Sequence, residues 1–238
     1  MDSIEKAVSL IKKSNYTIAF TGAGISTESG IPDFRSSGGL WEEVDPQLFT
    51  AQNFIENPIE FYELALPLFK EIKEAEPNPA HFALAELEAA GDIEAVITQN
   101  IDNLHQQAGS ESVLEIHGHL RTGSCQGCAK EYSFAEIEEL MQKDGPYCLD
   151  CQGLIKLDIV FFGDSLTTEF MEARKLASQA ELLIVIGSSL EVSPANLLPQ
   201  LADKSLIINL STTPFDSQAE VVINDSASRV LAEIAELA

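Results

Sequence analysis

Basic residues are scarce in this 238-residue chain: 14 Lys and Arg stand against 38 Asp and Glu, a net charge of −24. A field of that sign repels phosphate backbones, so nucleic acid is disfavoured as a partner and lysine-rich segments are attracted. The same charge favours solubility. Long apolar runs are also lacking, and none approaches the roughly 20 residues that span a bilayer. The acidic opening, Met1 to Lys6, has none of the basic-then-apolar build of a secretory signal. A cytoplasmic location without membrane association is therefore expected. Cysteine is limited to four residues, all between Cys125 and Cys151, which points to a metal site before a disulfide framework. Internal repeats, low-complexity tracts and a coiled-coil stripe are missing too, so a monomer is expected.

What is present alternates between two periods. Ile4, Val8, Leu10 and Ile11 recur at helical spacing up to about Lys13, and Tyr16–Phe20 reads as a buried strand closed by Gly22-Ala23-Gly24. From Gly24 to Asn53 the chain is rich in Gly, Ser, Pro and Asp, a loop long enough to be functional. Helical patterns follow at Pro58–Glu74 and after Asn78, with Pro79 in the first turn and Gly91 past the end. Further strands are expected at Ile93–Thr98, Asp158–Phe162, Leu182–Ile186, Leu206–Leu210 and Val221–Ile223. Helices are expected from Ser133, at Thr168–Ala180, at Pro194–Leu201 and at the end, capped by Asp225 or Ser226.

Strands alternating with helices predict a parallel, doubly wound sheet of Rossmann-like α/β class. Several strands end in small polar residues, at Gly22-Ala23-Gly24, Gln99-Asn100, Gly187-Ser188-Ser189, Asn209 and Asp225-Ser226. In such sheets the ligand lies beyond the carboxyl ends of the strands, so these loops predict one dinucleotide-sized site. The glycine loop alone is weak evidence: Thr27 stands where the last glycine of G-x-G-x-x-G belongs, and no strand with an acidic end follows. A hydride-transferring dehydrogenase is not supported. The cysteines say more. Cys125-x-x-Cys128 and Cys148-x-x-Cys151, nineteen residues apart, have the spacing of a two-knuckle zinc site. Four thiolates close a tetrahedral shell and leave no place for water, which makes the metal structural. Free or paired cysteines and a nucleic-acid-binding ribbon are the alternatives, and Glu131, Glu136, Glu138 and Glu139 weigh against the ribbon.

Gly22-Ala23-Gly24-Ile25-Ser26, Glu28 to Arg35, Thr98 to Asp102, and His117-Gly118 resemble, in order, the signature segments of sirtuins. These are silent-information-regulator-type, NAD-dependent protein-lysine deacylases, here of bacterial or archaeal kind. Phe161 to Asp164 and Gly187 to Leu190 resemble two further segments, so the likeness runs from about Ala19 to Val230. The resemblance implies an inserted zinc module held by Cys125, Cys128, Cys148 and Cys151, with one structural zinc per chain. It implies a Rossmann-like body of residues 1–35, 80–120 and 156–238, and a smaller unit of 36–79 and 121–155 that includes a helical and loop segment for the cofactor.

The catalytic residues so implied are His117, the general base, and Asn100, which with Gln99 positions the nicotinamide ribose. NAD, consumed as co-substrate, would rest its pyrophosphate on Gly22, Ala23 and Thr27 near Arg35, with Phe34 covering the reacting centre. Ile101 and Asp102 would hold the nicotinamide amide, and Ser188, Ser189, Asn209, Ser226 and Ala227 the adenosine half. An acyl-lysine peptide would add as a strand between Gly163-Asp164 and Leu190–Ser193, touching Val160, Phe161, Phe162, Gly163 and Val192. His105 reads as support for the Asn100–Asp102 turn, and His81 and His119 as structural.

The implied products are free lysine, nicotinamide and O-acyl-ADP-ribose. Ala65, three residues after Tyr62, stands where carboxylate-preferring relatives carry arginine, which implies a preference for acetyl and other neutral acyl groups. Lys156-Leu157 departs from the family's Arg-Pro, and Asp164 from its glutamate. The rival readings are an NAD-dependent mono-ADP-ribosyltransferase, against which His117 and the apolar Val160–Phe162 favour deacylation, and a non-catalytic NAD-sensing module, which would bind without turnover.

Overall fold

The computed structural model describes residues 2–238. In chain order the first elements are α1 (Ser3–Lys13), β1 (Thr17–Thr21), α2 (Leu40–Glu43), α3 (Ala51–Glu56), α4 (Pro58–Glu74) and α5 (Pro79–Ala90). Next come β2 (Ala95–Thr98), α6 (Leu104–Ala108), β3 (Val113–Glu115), β4 (Gly118–Cys125), β5 (Glu131–Ser133) and α7 (Phe134–Met141). Then follow β6 (Ile155–Ile159), α8 (Thr168–Ala177), β7 (Leu182–Ile186), β8 (Ser205–Ile208), β9 (Val221–Ile223) and α9 (Ala227–Leu237).

Local chemistry sets the helix ends. The Asp2 and Ser133 side chains open α1 and α7 in capping boxes, and Gly91 stops α5 in the left-handed region at φ 82°. Of the two expected caps for α9, Ser226 is the one that accepts the Arg229 N–H, at 3.3 Å. Between Pro194 and Leu201 the expected helix is a 3₁₀ segment over Ala195–Leu201. Pro199 lies inside it and cannot donate the bond that an α-helix would need.

Six strands form a parallel sheet in the order β3-β2-β1-β7-β8-β9. The chain winds outward in one direction from β1 and in the other from β7, which is the doubly wound, Rossmann-like arrangement. All five residues of both central strands are buried; β7 reads as an unbroken apolar run and β1 as Ile18-Ala19-Phe20 between two threonines. Helices cover both faces: Ile4, Ile11, Leu84, Leu87, Val230 and Leu231 pack on one, Phe170, Ala173, Ala177 and Leu198 on the other. No helix among the described residues is long and apolar enough to cross a membrane.

A second, antiparallel sheet, β5-β4-β6, carries the cysteines. Three strands across the two sheets escape the hydrophobic pattern. β3 is a half-buried edge of three residues, β4 is the polar run Gly118–Cys125, and β6 starts at Ile155 where an extended segment from Asp158 is expected. Pairing with β4 sets that register, Cys125 opposite Ile155 and Gly118 opposite Ile159. Leu120, Ile155, Leu157, Ile159 and Phe161 pack with Phe54, Phe61, Tyr62, Phe69 and Ile137 in a separate small core.

Candidate active site

The loops after β1 and β7 meet at the switch point of the sheet. The Gly24 N–H donates to the Gly187 carbonyl oxygen at 2.8 Å, and the Gly22 N–H to Ile186 at 3.1 Å. A Cβ on Gly24 would lie 2.8 Å from the Gly187 Cα, and one on Gly22 would lie 2.9 Å from the Gly187 oxygen. Both glycines are thus fixed by backbone packing between two loops, a requirement the G-x-G pattern does not reveal.

The loop after β2 is laid across this junction by hydrogen bonds. Gln99 Nε2 donates to Ser188 Oγ at 3.0 Å, and Asn100 Nδ2 to the Gly22 carbonyl at 3.2 Å and Ser26 Oγ at 3.0 Å. Ser26 Oγ donates to Asp102 Oδ2 at 2.7 Å, while the Leu104 N–H donates to Oδ1 at 2.9 Å. Burial pushes the Asp102 carboxyl up, against the downward pull of these two donors. Ser26 is a site residue that the sequence reading leaves without a role, although it stands inside the glycine loop.

His117 follows β3 and precedes β4. Its Nδ1 lies 3.1 Å from the Gln99 carbonyl oxygen, which accepts only a hydrogen, so Nδ1 carries the proton and Nε2 the lone pair. Burial pushes its pKa down and the Gln99 bond pulls it up, with a net fall, so the ring is neutral at pH 7. Gly118, at φ 79°, is required next to it: a Cβ there would strike the Asp158 carbonyl oxygen at 2.0 Å. His117 is thereby held between the large sheet, through Gln99, and the small one, through the bond from the Val160 N–H to its own carbonyl at 2.9 Å.

Beneath the loops lies a pair of buried histidines. His81 accepts the Asn78 N–H on Nδ1 at 3.3 Å, which leaves Nε2–H to face Ser26 Oγ at 3.5 Å. His105 Nε2 meets Thr21 Oγ1 at 3.0 Å, and that hydroxyl donates to Thr98 at 2.8 Å. The signal for this group is a threonine closing each of two paired strands, Thr21 opposite Thr98. The two rings stand edge to face with centroids 4.9 Å apart. Burial pushes His81 down to about 4; burial, and then His81, push His105 down to about 3.

These values give a pH dependence whose sign is definite. Above pH 6.5 both rings are neutral folded or unfolded, and they cost nothing. Below it the unfolded chain takes up protons that the folded chain refuses, so stability falls as pH drops toward the folded values. At about 1.4 kcal/mol per unit for each ring, acidification from pH 7 to 5 removes several kcal/mol. Urea midpoints over that range should fall, and should fall less in His105→Gln; parallel curves for both proteins would contradict this origin.

The remaining expected residues divide. Thr27 Oγ1 donates back to the Gly24 carbonyl at 3.0 Å and tightens the loop. Phe34 is exposed and lies 5.0 Å from Trp41, whose ring also approaches Phe49 and Phe162. Arg35 pairs with Glu191 at 3.2 Å. Ser188 is buried and Ser189 exposed, Asn209 is tied to the Ser211 carbonyl, and Ser226 Oγ reaches Glu28 at 2.7 Å. Ile101 packs against the small core, Ala227 begins α9, and Val160 and Val192 are half-buried. Phe162 and Gly163 are exposed, but Phe161 is buried in the small core, its ring centroid 5.0 Å from that of Phe61 and 5.3 Å from that of Phe54. Tyr62 is also core: its hydroxyl donates to the Ile155 carbonyl at 3.0 Å and accepts the Leu157 N–H at 3.2 Å.

The four cysteine sulfurs lie within 4.8 Å of one another. Cys125 and Cys151 Sγ are 3.5 Å apart, and Cys128 and Cys148 3.6 Å. A zinc with four bonds of about 2.3 Å needs sulfurs about 3.8 Å apart, so the cage fits. The residue after each knuckle, Ala129 and Gln152, sits at φ 60°, which curls both turns the same way. Tyr132 Oη donates to Cys148 Sγ at 3.2 Å and the Gly127 N–H to Cys125 Sγ at 3.3 Å, the outer shell that thiolate ligands require.

The family model described as Sir2 family matches residues 22–194. This chain belongs to the Sir2 family. Among curated Sir2 relatives, NAD-dependent protein deacetylase 2 of Caldanaerobacter subterraneus subsp. tengcongensis is 48% identical, over 98% of this chain and 96% of its own. A solved Sir2 structure with deacetylated p53 peptide and 3'-O-acetyl-ADP-ribose superposes with a TM-score of 0.94 at 42% identity, covering 98% of each chain. Another Sir2 structure, with p53 peptide and NAD⁺, gives 0.92 at 41% identity, covering 100% of this chain and 98% of that one.

Proposed function

We propose that this Sir2 protein is an NAD-dependent protein-lysine deacetylase that also accepts other neutral acyl groups and, with one NAD and one water consumed per acyl group, leaves free lysine, nicotinamide and O-acyl-ADP-ribose. The observation that carries this reading is the contact of His117 Nδ1 with the Gln99 carbonyl oxygen, which leaves the lone pair of a general base on Nε2. The relatives, deacetylases by name and complexes with NAD⁺ or acetyl-ADP-ribose, support it.

Bound NAD supplies the carbon that exchanges nicotinamide for the acyl oxygen, and the ribose that finally carries the acyl group. This chain's residues do the rest. His117 Nε2 takes the proton of a ribose hydroxyl, with Gln99 fixing the ring from behind. Asp102, held by Ser26, offers its carboxylate to the amide N–H of nicotinamide, and Ile101 walls that pocket. Asn100 and Gln99 orient the nicotinamide ribose. Gly22, Ala23 and Thr27, with Arg35 close by, receive the pyrophosphate; Ser188, Ser189, Asn209, Ser226 and Ala227 receive the adenosine half. Phe34 excludes water. The peptide pairs with Gly163-Asp164 on one side and the Val192 segment on the other. Zinc at the four cysteines holds the small sheet and takes no part in the chemistry. We further infer a cytoplasmic monomer with no role on nucleic acid, in keeping with the charge of −24.

Acyl preference follows from the small core. The Tyr62 hydroxyl is spent on β6, Lys156 is paired with Asp164 at 2.9 Å, and Arg35 serves the pyrophosphate. A succinyl carboxylate would find no free cation, and a hydrogen bond to a charged group is worth about 1.5–3 kcal/mol. Acetyl-lysine peptides should therefore exceed matched succinyl peptides in kcat/KM by about tenfold or more. The same panel tests the function: nicotinamide release must require the acylated peptide. Release that labels protein with ADP-ribose would make the chain a transferase, and NAD binding without turnover would make it a sensor.

A further inference from the structure

Two departures from the family's pattern, Lys156 for arginine and Asp164 for glutamate, are the two ends of one contact. Lys156 Nζ lies 2.9 Å from Asp164 Oδ2, with both side chains partly buried. The same ammonium sits 4.3 Å from the centroid of the Phe161 ring and donates to the Ile159 carbonyl. Asp164 in turn closes a turn on itself. Its Oδ2 accepts the Phe161 N–H at 2.8 Å, and its own N–H donates to the Phe161 carbonyl at 3.0 Å. Within that turn Gly163 takes φ 93°, as the third residue of a type II turn does. The other flank is fixed by backbone alone, Phe162 N–H to Phe49 at 2.9 Å and Ala51 N–H to Phe162 at 3.0 Å.

We propose that Lys156 and Asp164 form a clasp that holds the Phe161–Asp164 turn ready for the substrate peptide, which makes them positioning residues for peptide and not for NAD. The proposal rests on the function proposed above. A glycine turn with a free carboxylate samples many shapes, and a peptide that pairs with it must bear the cost of ordering it. The clasp meets that cost beforehand. The ammonium neutralises the carboxylate, and its contact with Phe161 ties the turn to the small core. Leu157, the second half of the same departure, belongs to this design: its N–H donates to Tyr62 Oη, a bond that proline could not make.

The single tryptophan, Trp41, is a reporter for this turn, its ring centroid 6.4 Å from that of Phe162. With an acetyl-lysine peptide as probe, Lys156→Met should raise the peptide KM tenfold or more. The NAD KM should stay within about twofold of wild type. The change in Trp41 emission on adding peptide should move to correspondingly higher concentration. Lys156→Arg, which keeps the charge, should remain within about threefold for peptide. A peptide KM within twofold of wild type for Lys156→Met, or an equal rise for NAD and peptide, overturns the clasp. Should Lys156→Met fail to fold, Asp164→Asn removes the charge yet keeps an oxygen for the Phe161 N–H, and it is read by the same criteria. Lack of turnover by the wild-type protein would instead overturn the proposed function.

Discussion

Removing the metal from reduced protein with a chelator, or replacing Cys148 with alanine, is expected to unfold the small sheet and pull down the thermal midpoint of the whole chain. Binding of zinc to structural cysteine sites is worth on the order of 10–16 kcal/mol, as much as the entire stability of a typical domain. Cys148 is fully buried, its thiol is held by Tyr132, and its backbone closes the second knuckle with Gly153 at 2.8 Å. The loss does not stay local, because β4 begins one residue after His117 and β6 shares its core with α4. Yields and melting temperature should therefore suffer more than the specific activity of whatever folded protein survives. Metal analysis of fresh, reduced protein should give one zinc per chain. Protein free of zinc, or a Cys148→Ala variant that melts with the wild type, would refute the assignment.

Loss of the His117 imidazole should lower deacetylation by about 10²–10⁴-fold, the usual contribution of a positioned general base. In His117→Ala the Gln99 carbonyl loses one donor, but Gln99 keeps its bond to Ser188 and Asn100 its bonds to Gly22 and Ser26. The loops proposed to receive NAD are therefore retained, and nicotinamide exchange should survive in part while acyl transfer does not. The pH profile adds a second check. Since the folded ring has its pKa pushed below 6.5, the acid limb of kcat/KM should lie below that value. Turnover of acetyl-lysine within a few-fold of wild type by His117→Ala would show that another group takes the proton.

Much of this was legible in the residue order, because the signals were local. Asn78, Pro79 and Gly91 bound α5 through bonds that span a few residues. Two Cys-x-x-Cys knuckles announce a tetrahedral site because each knuckle fixes two ligands by itself. β7 and the Ile18-Ala19-Phe20 stretch of β1 show as apolar runs because they are buried on both faces. The strands β3, β4 and β6 were harder to read. A polar run such as Gly118–Cys125 becomes a strand only when another segment supplies its partners, and Ile155–Ile159 takes its register from that partner.

The site divides along the same line. The residue order by itself determined which chemistries are present: a glycine loop, an amide and carboxylate turn, one histidine before a glycine, and four thiols. It also determined the sign of the field around them. Only the tertiary structure decided that Gly22 and Gly24 are required by the Gly187 backbone, that Ser26 and the Leu104 N–H donate to Asp102, and that His81 and His105 meet edge to face in the interior. The fold likewise took Phe161 and Tyr62 into the core and set Lys156 against Asp164. These outcomes depend on which side chains meet after the loops close. A helix cap or a metal knuckle is fixed by neighbours along the chain, whereas burial and a hydrogen-bond partner are properties of neighbours in space.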